Sequence, residues 1–161
     1  MRIVVLGIGN LLMTDEGVGV RAVEELARRY DLPPEVEVID GGCSGMEMLG
    51  DIARADHLLI VDAVSADKPP ATIVTLHGDD VPAFFSAKLS PHQIGLCDVL
   101  AALKLTDESP GTLTLIGVQP ASLDLSMELS PQIAAKLPEI VARVVEQLAA
   151  RGATPAMREA A

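Results

Sequence analysis

Aromatic residues are almost absent from this sequence, and tryptophan is missing altogether. Because aromatic residues make up only 2% of the chain, we expect no platform on which nucleobases or sugars could stack. Basic residues are also few: 12 Lys and Arg stand against 23 Asp and Glu, which gives a formal net charge of −11. This acidity argues against binding to nucleic acid or acidic membrane surfaces, and it favours a cation or a basic partner.

Cysteines and long apolar runs are scarce as well. The two cysteines, Cys43 and Cys97, are too few for a disulfide framework and lack the paired spacing of a zinc site, so a cytoplasmic protein with free thiols is predicted. No apolar run reaches the roughly 20 residues of a membrane span, and the start lacks a signal-peptide pattern. The 161 residues are predicted to form one domain over 1–150, followed by a flexible tail at 151–161.

Apolar runs alternate with amphipathic stretches along the chain. Residues 3–6 and 58–61 are continuous aliphatic runs, which is typical of strands covered on both faces. Residues 17–30 repeat apolar side chains at helical spacing. Further strands are predicted at 36–39, 72–76 (an edge strand) and 113–118, and further helices at 44–53, from 91, and from 131 with a kink or restart at Pro138. This order predicts an α/β three-layer sandwich: a twisted, mostly parallel sheet of about five strands with helices on both faces.

A glycine-rich turn joins the first predicted strand to the first helix. Its four glycines, at 7, 9, 17 and 19, permit close backbone approaches that a side chain would forbid. The turn is neither a dinucleotide fingerprint, because Leu12 stands where a third glycine is needed, nor a P-loop, because the Lys-Ser/Thr pair is absent. Asp15 and Glu16 lie where a phosphate-binding loop would avoid acids. The turn therefore fits a cation, or a water molecule to be activated.

Acidic residues follow three of the predicted parallel strands. Glu16 lies in the turn after the first, Asp40 ends the second and Asp62 ends the third. Right-handed crossovers bring the carboxyl ends of parallel strands to one edge of the sheet, where ligands bind. A helix is predicted to begin at Pro91, because Ser90 and Gln93 form the capping pattern Ser-x-x-Gln around it. His92 joins these acids if that helix also starts near the same edge.

Glu16, Asp62 and His92 are therefore candidate ligands of one cation. Two carboxylates and an imidazole leave coordination positions vacant for water or for ligands brought by a substrate. The positive end of the helix dipole keeps the imidazole of His92 neutral and able to donate a lone pair. Without thiolates, such a site would hold nickel or zinc loosely. We therefore expect the metal to arrive with the partner.

Each carboxylate also has a structural alternative. Asp15 is interpreted as a helix N-cap rather than a ligand, and Glu16 fits equally well a solvated acid in the first helical turn. Asp40 and Asp62 could each accept hydrogen bonds from loop amides. Burial of a carboxylate directly after four buried aliphatic residues costs free energy. This cost favours a chemical role for Asp62.

The histidines and Cys43 have alternatives too. A histidine on an apolar helix face, such as His92, is commonly a hydrogen-bonded core residue. His57 and His77 receive no role. Cys43 has no evident neighbouring base, which argues against a nucleophile. The chain also lacks a Gly-x-Ser-x-Gly elbow and a His-Glu-x-x-His helix, so ordinary serine hydrolases and zincins are not supported.

Five short motifs follow one another along nearly the whole chain. They are Gly7-Ile8-Gly9-Asn10 with Asp15-Glu16-Gly17-Val18-Gly19; Asp40-Gly41-Gly42; Val61-Asp62-Ala63; Ser90-Pro91-His92 with Leu100; and Gly117-Val118-Gln119-Pro120. In order and content they resemble the endopeptidases that mature nickel-iron hydrogenases by trimming the large subunit.

The resemblance implies a function and a set of site residues. The implied substrate is a large-subunit precursor already loaded with its nickel-iron centre, from which a C-terminal peptide is removed by aspartyl-type or metal-assisted hydrolysis. Nickel comes with the substrate, no organic cofactor is needed, and a monomer is the working expectation. The implied nickel-recognising residues are Glu16, Asp62 and His92; the catalytic candidates are Asp40, Glu16 and Asp62; and the substrate-binding candidates are Gly41, Gly42, Cys43 and Asn10. Most relatives have Thr at the position of Cys43.

Other functions would use the same sheet edge. A nickel-delivery chaperone or a small-ligand-binding α/β module would bind without cutting. An aminohydrolase or phosphorylase-type enzyme is a third possibility. Shortening of a nickel-loaded precursor distinguishes the protease from all of these.

Overall fold

A computed structural model of this chain describes residues 1–82 and 91–158, without the side chains of 91–94. Its strands are β1 (Ile3–Ile8), β2 (Tyr30–Asp31), β3 (Val36–Gly42), β4 (His57–Ala63), β5 (Ile73–His77), β6 (Thr112–Val118) and β7 (Ala156–Met157). Five of them form a sheet in the order β3-β1-β4-β6-β5. Every neighbouring pair is parallel except β5 and β6. The mostly parallel sheet, with 72–76 as an edge strand, is confirmed.

The described residues include four helices that lie entirely within them. They are α1 (Val18–Arg29), α2 (Leu49–Ile52), α3 (Pro91–Leu105) and α4 (Pro131–Ala150), and short 3-10 turns cover Thr14–Gly17 and Met46–Met48. The helix predicted to begin at Pro91 does so. Pro138 lies inside α4, which is one continuous helix and does not restart there. Within the described ranges, no helix combines the length and apolar character needed to cross a bilayer.

The core consists of two apolar layers, one on each face of the sheet. On one face, α1 and α4 pack against side chains such as Val5, Leu59 and Ile116. On the other, α2 and α3 pack against neighbours such as Leu6, Ile60 and Leu115. All residues of β1 and β4 are buried, as continuous apolar runs predict for central parallel strands. The three-layer sandwich is confirmed.

Two glycines allow the first helix to lie directly on the sheet. A Cβ on Gly19 would lie 2.1 Å from the carbonyl oxygen of Val61 and 2.6 Å from that of Ile8. Gly9 has φ +136°, and its Cβ would lie 1.9 Å from the carbonyl oxygen of Glu16. A side chain at either position would collide with backbone, so the glycines fix the turn that holds Glu16.

The end of the described chain packs against the body of the protein. Ala153 is fully buried, and β7 pairs antiparallel with β2. Arg158 also donates its amide hydrogen to the carbonyl oxygen of Arg29. The sequence shows no periodicity here, and the flexibility expected for 151–161 stays a prediction.

Candidate active site

The turns after β1 and β3 are joined at the carboxyl edge of the sheet. The pairing of β1 with β3 shifts register between Gly7 and Ile8, which lie opposite Asp40 and Gly42, so Gly41 is an extra residue in a bulge. Beyond the bulge, the amide of Gly9 donates to the carbonyl oxygen of Gly42 over 2.8 Å. This bond ties the glycine-rich turn to the Asp40-Gly41-Gly42 motif. The two sequence motifs therefore lie side by side at the carboxyl edge of the sheet.

Asp62 and the backbone of Glu16 both lie close to Gly9 at this edge of the sheet. Asp62 is fully buried at the end of β4, and Glu16 is half-buried. The Cβ that Gly9 lacks would lie 3.7 Å from Oδ1 of Asp62 and 1.9 Å from the carbonyl oxygen of Glu16. A side chain at position 9 would collide with the backbone of Glu16, whereas Asp62 would be in ordinary contact with it. The turn holding Glu16 and the end of β4 at Asp62 therefore lie at the same edge of the sheet, as the strand order predicts.

The thiol of Cys43 belongs to the same cluster. Cys43 is exposed, yet partial desolvation of its thiol raises the pKa of Cys43, and the negative charges of Glu16 and Asp62 raise it further. Carboxylates produce such an effect only when they lie close to the thiol. At neutral pH Cys43 is therefore a neutral thiol, whereas nucleophiles and metal ligands are thiolates. This environment agrees with the sequence interpretation that Cys43 is not a nucleophile.

The start of α3 lies at the same edge of the sheet, and His92 belongs to the first turn of this helix. A Cβ on Gly95, one turn into α3, would lie 3.3 Å from the Cα of Gly45, in the loop after Cys43. Asp62 shares its face of β4 with Leu58 and Ile60, which α3 helps to cover. The assumption that this helix starts near the edge is therefore correct. The side chain of His92 itself lies outside the described residues.

Metal-binding capacity depends on that histidine. Among the residues whose side chains are described, no three His, Cys, Asp or Glu are placed to hold one metal ion. Glu16 and Asp62 supply hard oxygen donors, and an imidazole from α3 would complete a three-ligand set. Such a set leaves coordination positions vacant, as required for a metal that another molecule brings. Assignment of Glu16, Asp62 and His92 as ligands stays a prediction.

Asp40 and Asn10 have structural hydrogen bonds at this edge. Oδ1 of Asp40 accepts the amide hydrogen of Gly42 over 3.0 Å, and Oδ1 of Asn10 accepts that of Leu12 over 2.9 Å. Both bonds are of the kind that Asp and Asn side chains form in turns. Asp40 is exposed, so its second carboxylate oxygen can still meet substrate. The catalytic role of Asp40 and the binding role of Asn10 stay predictions.

Asp15 joins the first turn to a distant segment of the chain through its side chain. Its interpretation as a helix N-cap is wrong. Its side chain is fully buried and accepts four hydrogen bonds from a distant segment. Oδ2 accepts from the amides of Ala121 and Ser122, each over 2.9 Å, and from Oγ of Ser130 over 2.8 Å. Oδ1 accepts from the amide of Ser130 over 2.8 Å. The partners lie more than 100 residues away, so sequence-local reasoning could not find them.

The segment 121–130, which follows β6, is a part of the site that sequence reasoning missed. Besides Asp15, it contacts the first turn through a parallel bridge between Met13 and Ser126. The amide of Thr14 donates to the carbonyl oxygen of Ser126 over 2.9 Å, and the hydroxyl of Thr14 donates to that of Asp124. The alternation of apolar and polar residues in 121–130 was the available signal, although the chain bends at 124–125 and 127–128 and does not form a strand.

Comparison with known proteins shows the family of this chain. Residues 20–147 match the family model of the hydrogenase maturation proteases, HycI. The Escherichia coli hydrogenase 2 maturation protease is 50% identical over 161 residues, covering 99% of this chain and 98% of that protein. The hydrogenase expression/formation protein HupD of Rhodobacter capsulatus is 44% identical over 153 residues, covering 94% of this chain and 73% of that one.

Solved structures give the same result. The hydrogenase maturating endopeptidase HybD from E. coli superposes with a TM-score of 0.95 at 50% identity, covering 98% of both chains. A nickel-iron hydrogenase maturation protease HybD from Thermococcus kodakarensis has a TM-score of 0.76 at 28% identity, covering 92% of this chain and 99% of that one. The chain therefore belongs to the hydrogenase maturation protease family, as its motifs predict, and is an endopeptidase.

Proposed function

We propose that this endopeptidase removes a C-terminal peptide from the nickel-loaded precursor of a nickel-iron hydrogenase large subunit. The observation that carries the proposal is that the turn holding Glu16, the end of β4 at Asp62 and the start of α3, with His92 in its first turn, lie at one edge of the sheet. A relative named for the maturation of hydrogenase 2, identical at half of its positions, supports the choice of substrate.

In this proposal nickel is part of the substrate. The precursor holds the metal, and Glu16, Asp62 and His92 complete its coordination shell when the two proteins meet. Asp62 is fully buried, and a buried carboxylate favours a nearby cation far more than one in water does. A precursor without nickel lacks this attraction. Affinity therefore separates loaded from unloaded precursor before any bond is cut.

The first role we assign to these ligands is to anchor the substrate. In the anchored substrate, the scissile peptide lies near Gly41, Gly42 and Cys43. Asp40 is exposed there, and it or a carboxylate of the cluster serves as the base that takes a proton from the attacking water. The nickel of the substrate can also polarise the scissile carbonyl. The expected location is the cytoplasm, in agreement with two free cysteines, and the expected state is a monomer.

Incubation with loaded precursor tests the proposal. Purified protein is mixed with nickel-loaded and nickel-free large-subunit precursor, and shortening is followed on a gel. Only the loaded form should be shortened. Binding without shortening would instead indicate a nickel-delivery chaperone.

Carboxamide variants then separate anchoring from chemistry. Glu16→Gln and Asp62→Asn should weaken binding of the loaded precursor and slow its processing together. Glu146→Gln, which removes the same charge from an exposed position of α4, is the matched control and should change neither. Intact binding by Glu16→Gln with no processing would contradict a purely anchoring role for Glu16.

A further inference from the structure

The segment 121–130 presents an unusual surface beside the site. Its apolar residues, Leu123, Leu125, Met127 and Leu129, alternate with Ser122, Asp124, Ser126, Glu128 and Ser130. Such alternation is typical of an extended chain with two different sides. The segment nevertheless lies outside the central sheet. Its pattern therefore calls for another explanation.

The polar positions hold the segment in place through their backbone. The amide of Ser126 donates to the carbonyl oxygen of Leu12 over 2.9 Å, and the amides of Ser122 and Ser130 donate to Asp15. The amides of Asp124 and Glu128 donate to the hydroxyls of the serines two residues before them. The segment is thus fixed against the turn that carries Glu16. Little ordering remains for a partner to impose, which lowers the entropic cost of binding.

Three apolar positions face outward. Leu123 is 50% exposed, Leu125 87% and Met127 61%, and Leu12 on the neighbouring turn is 51% exposed. The parallel bridge of Met13 with Ser126 places Leu12 beside Leu125. We call these four residues the apolar rim. Single exposed aliphatic residues need no explanation, but several together on a rigid support indicate an interaction surface.

The position and charge of the rim define its occupant. Leu12 precedes Met13, whose carbonyl oxygen accepts the amide hydrogen of Glu16 over 3.1 Å, so the rim adjoins the turn of the candidate active site. Exposed Asp124 and Glu128 alternate with the apolar side chains, in a chain of net charge −11. A matching occupant is an extended peptide with apolar side chains and at least one basic residue.

We propose that the apolar rim binds an extended segment of the precursor next to the bond that is cut. This inference rests on the proposed function, because it takes the precursor as the partner. Nickel recognition then selects the loaded precursor, and the rim holds the polypeptide in register. The two contacts act on the same substrate and contribute separately to affinity.

A matched pair of double variants tests the rim. Leu125→Ser with Met127→Ser removes apolar side chains from the rim. Leu105→Ser with Met157→Ser removes side chains of similar exposure, 89% and 69%, at the end of α3 and in β7. Kd for nickel-loaded precursor, and KM and kcat for its shortening, are measured after far-UV circular dichroism shows that each variant is folded.

The rim variant should raise Kd and KM about tenfold, with kcat unchanged, because burial of each aliphatic side chain contributes to binding. The control should stay within twofold of the unaltered protein. Asp124→Asn with Glu128→Gln should weaken binding at low ionic strength and have less effect at high ionic strength; no effect at low salt would refute the basic character of the occupant. Rim-variant values of Kd and KM within twofold of the unaltered protein would overturn the proposal.

Other outcomes separate this inference from the proposed function. If the unaltered protein binds precursor without shortening it, the proposed function fails, and the Kd values alone still decide the rim. If it neither binds nor shortens loaded precursor, both fail. If sedimentation shows a dimer that the rim variant dissociates while precursor binding is unchanged, the rim joins two copies of this chain and the proposal is overturned.

Discussion

Replacement of Asp15 by Asn tests the link between the first turn and the segment 121–130. Asn has the same size, but one acceptor oxygen becomes an NH₂ donor. The four groups that surround the side chain are all donors: the amides of Ala121, Ser122 and Ser130 and the hydroxyl of Ser130. At least one buried N–H would therefore face another donor, and the remaining hydrogen bonds would lose the help of the negative charge.

The expected loss follows from these bonds. A hydrogen bond to a charged group contributes roughly 1.5–3 kcal/mol, and a buried donor left without a partner costs roughly 1–3 kcal/mol. Because one donor loses its partner and three bonds weaken, we expect Asp15→Asn to lower the free energy of unfolding by about 4 kcal/mol. A domain of this size has a total of roughly 5–15 kcal/mol. The variant should therefore still fold at 25 °C, with a clearly lower urea midpoint.

Urea titration followed by far-UV circular dichroism measures the effect, since the chain has no tryptophan for fluorescence. With a urea dependence of about 2 kcal/mol per molar, the midpoint should fall by about 2 M. Asp98→Asn, at an exposed position of α3, is the control and should change stability by less than about 0.5 kcal/mol. A loss below about 1 kcal/mol for Asp15→Asn would refute the argument that this carboxylate holds the two loops together.

Three further predictions test other parts of the structure. Burial, with smaller effects of Arg151 and His77, lowers the pKa of His57 to about 4. Because the unfolded chain accepts a proton that the folded state does not, the free energy of unfolding should fall by up to about 3 kcal/mol between pH 6.5 and 4. His57→Gln should remove this pH dependence of the urea midpoint, and an unchanged dependence in the variant would contradict the prediction. Glu16→Gln in a Cys97→Ser background should lower the pKa of Cys43 and speed its alkylation at pH 8. An unaltered alkylation rate would show that the charge of Glu16 does not act on the thiol of Cys43. Gly19→Ala should cost about 3 kcal/mol or more by collision with backbone, while Gly50→Ala, with no atom within 4 Å of the new Cβ, should not destabilise the protein.

Much of the fold can be predicted because its signals are local. The aliphatic runs at 3–6 and 58–61 are buried strands since both faces are covered, and the order of strands and helices places the turns after β1, β3 and β4 at one edge. The same reasoning places the turn of Glu16 and the end of β4 at Asp62 at that edge. Pro91, with the capping pattern around it, marks the start of α3 correctly.

Other features depend on contacts between distant parts of the chain. Asp15 resembles a helix cap in sequence, but its hydrogen-bond partners lie in 121–130, beyond any local pattern. β7 has two residues and no periodicity of its own, and it exists through its pairing with β2. The environment of Cys43 likewise depends on how the bulge at Gly41 directs the chain. Such features require tertiary structure.

The most direct test of the account compares two forms of one substrate. Large-subunit precursor with and without nickel is incubated with the protein and with Asp62→Asn, and the amount of shortened product is measured over time. We expect the unaltered protein to shorten only the nickel-loaded precursor and Asp62→Asn to lose most of this activity. Equal shortening of loaded and nickel-free precursor would contradict the claim that this edge of the sheet recognises nickel.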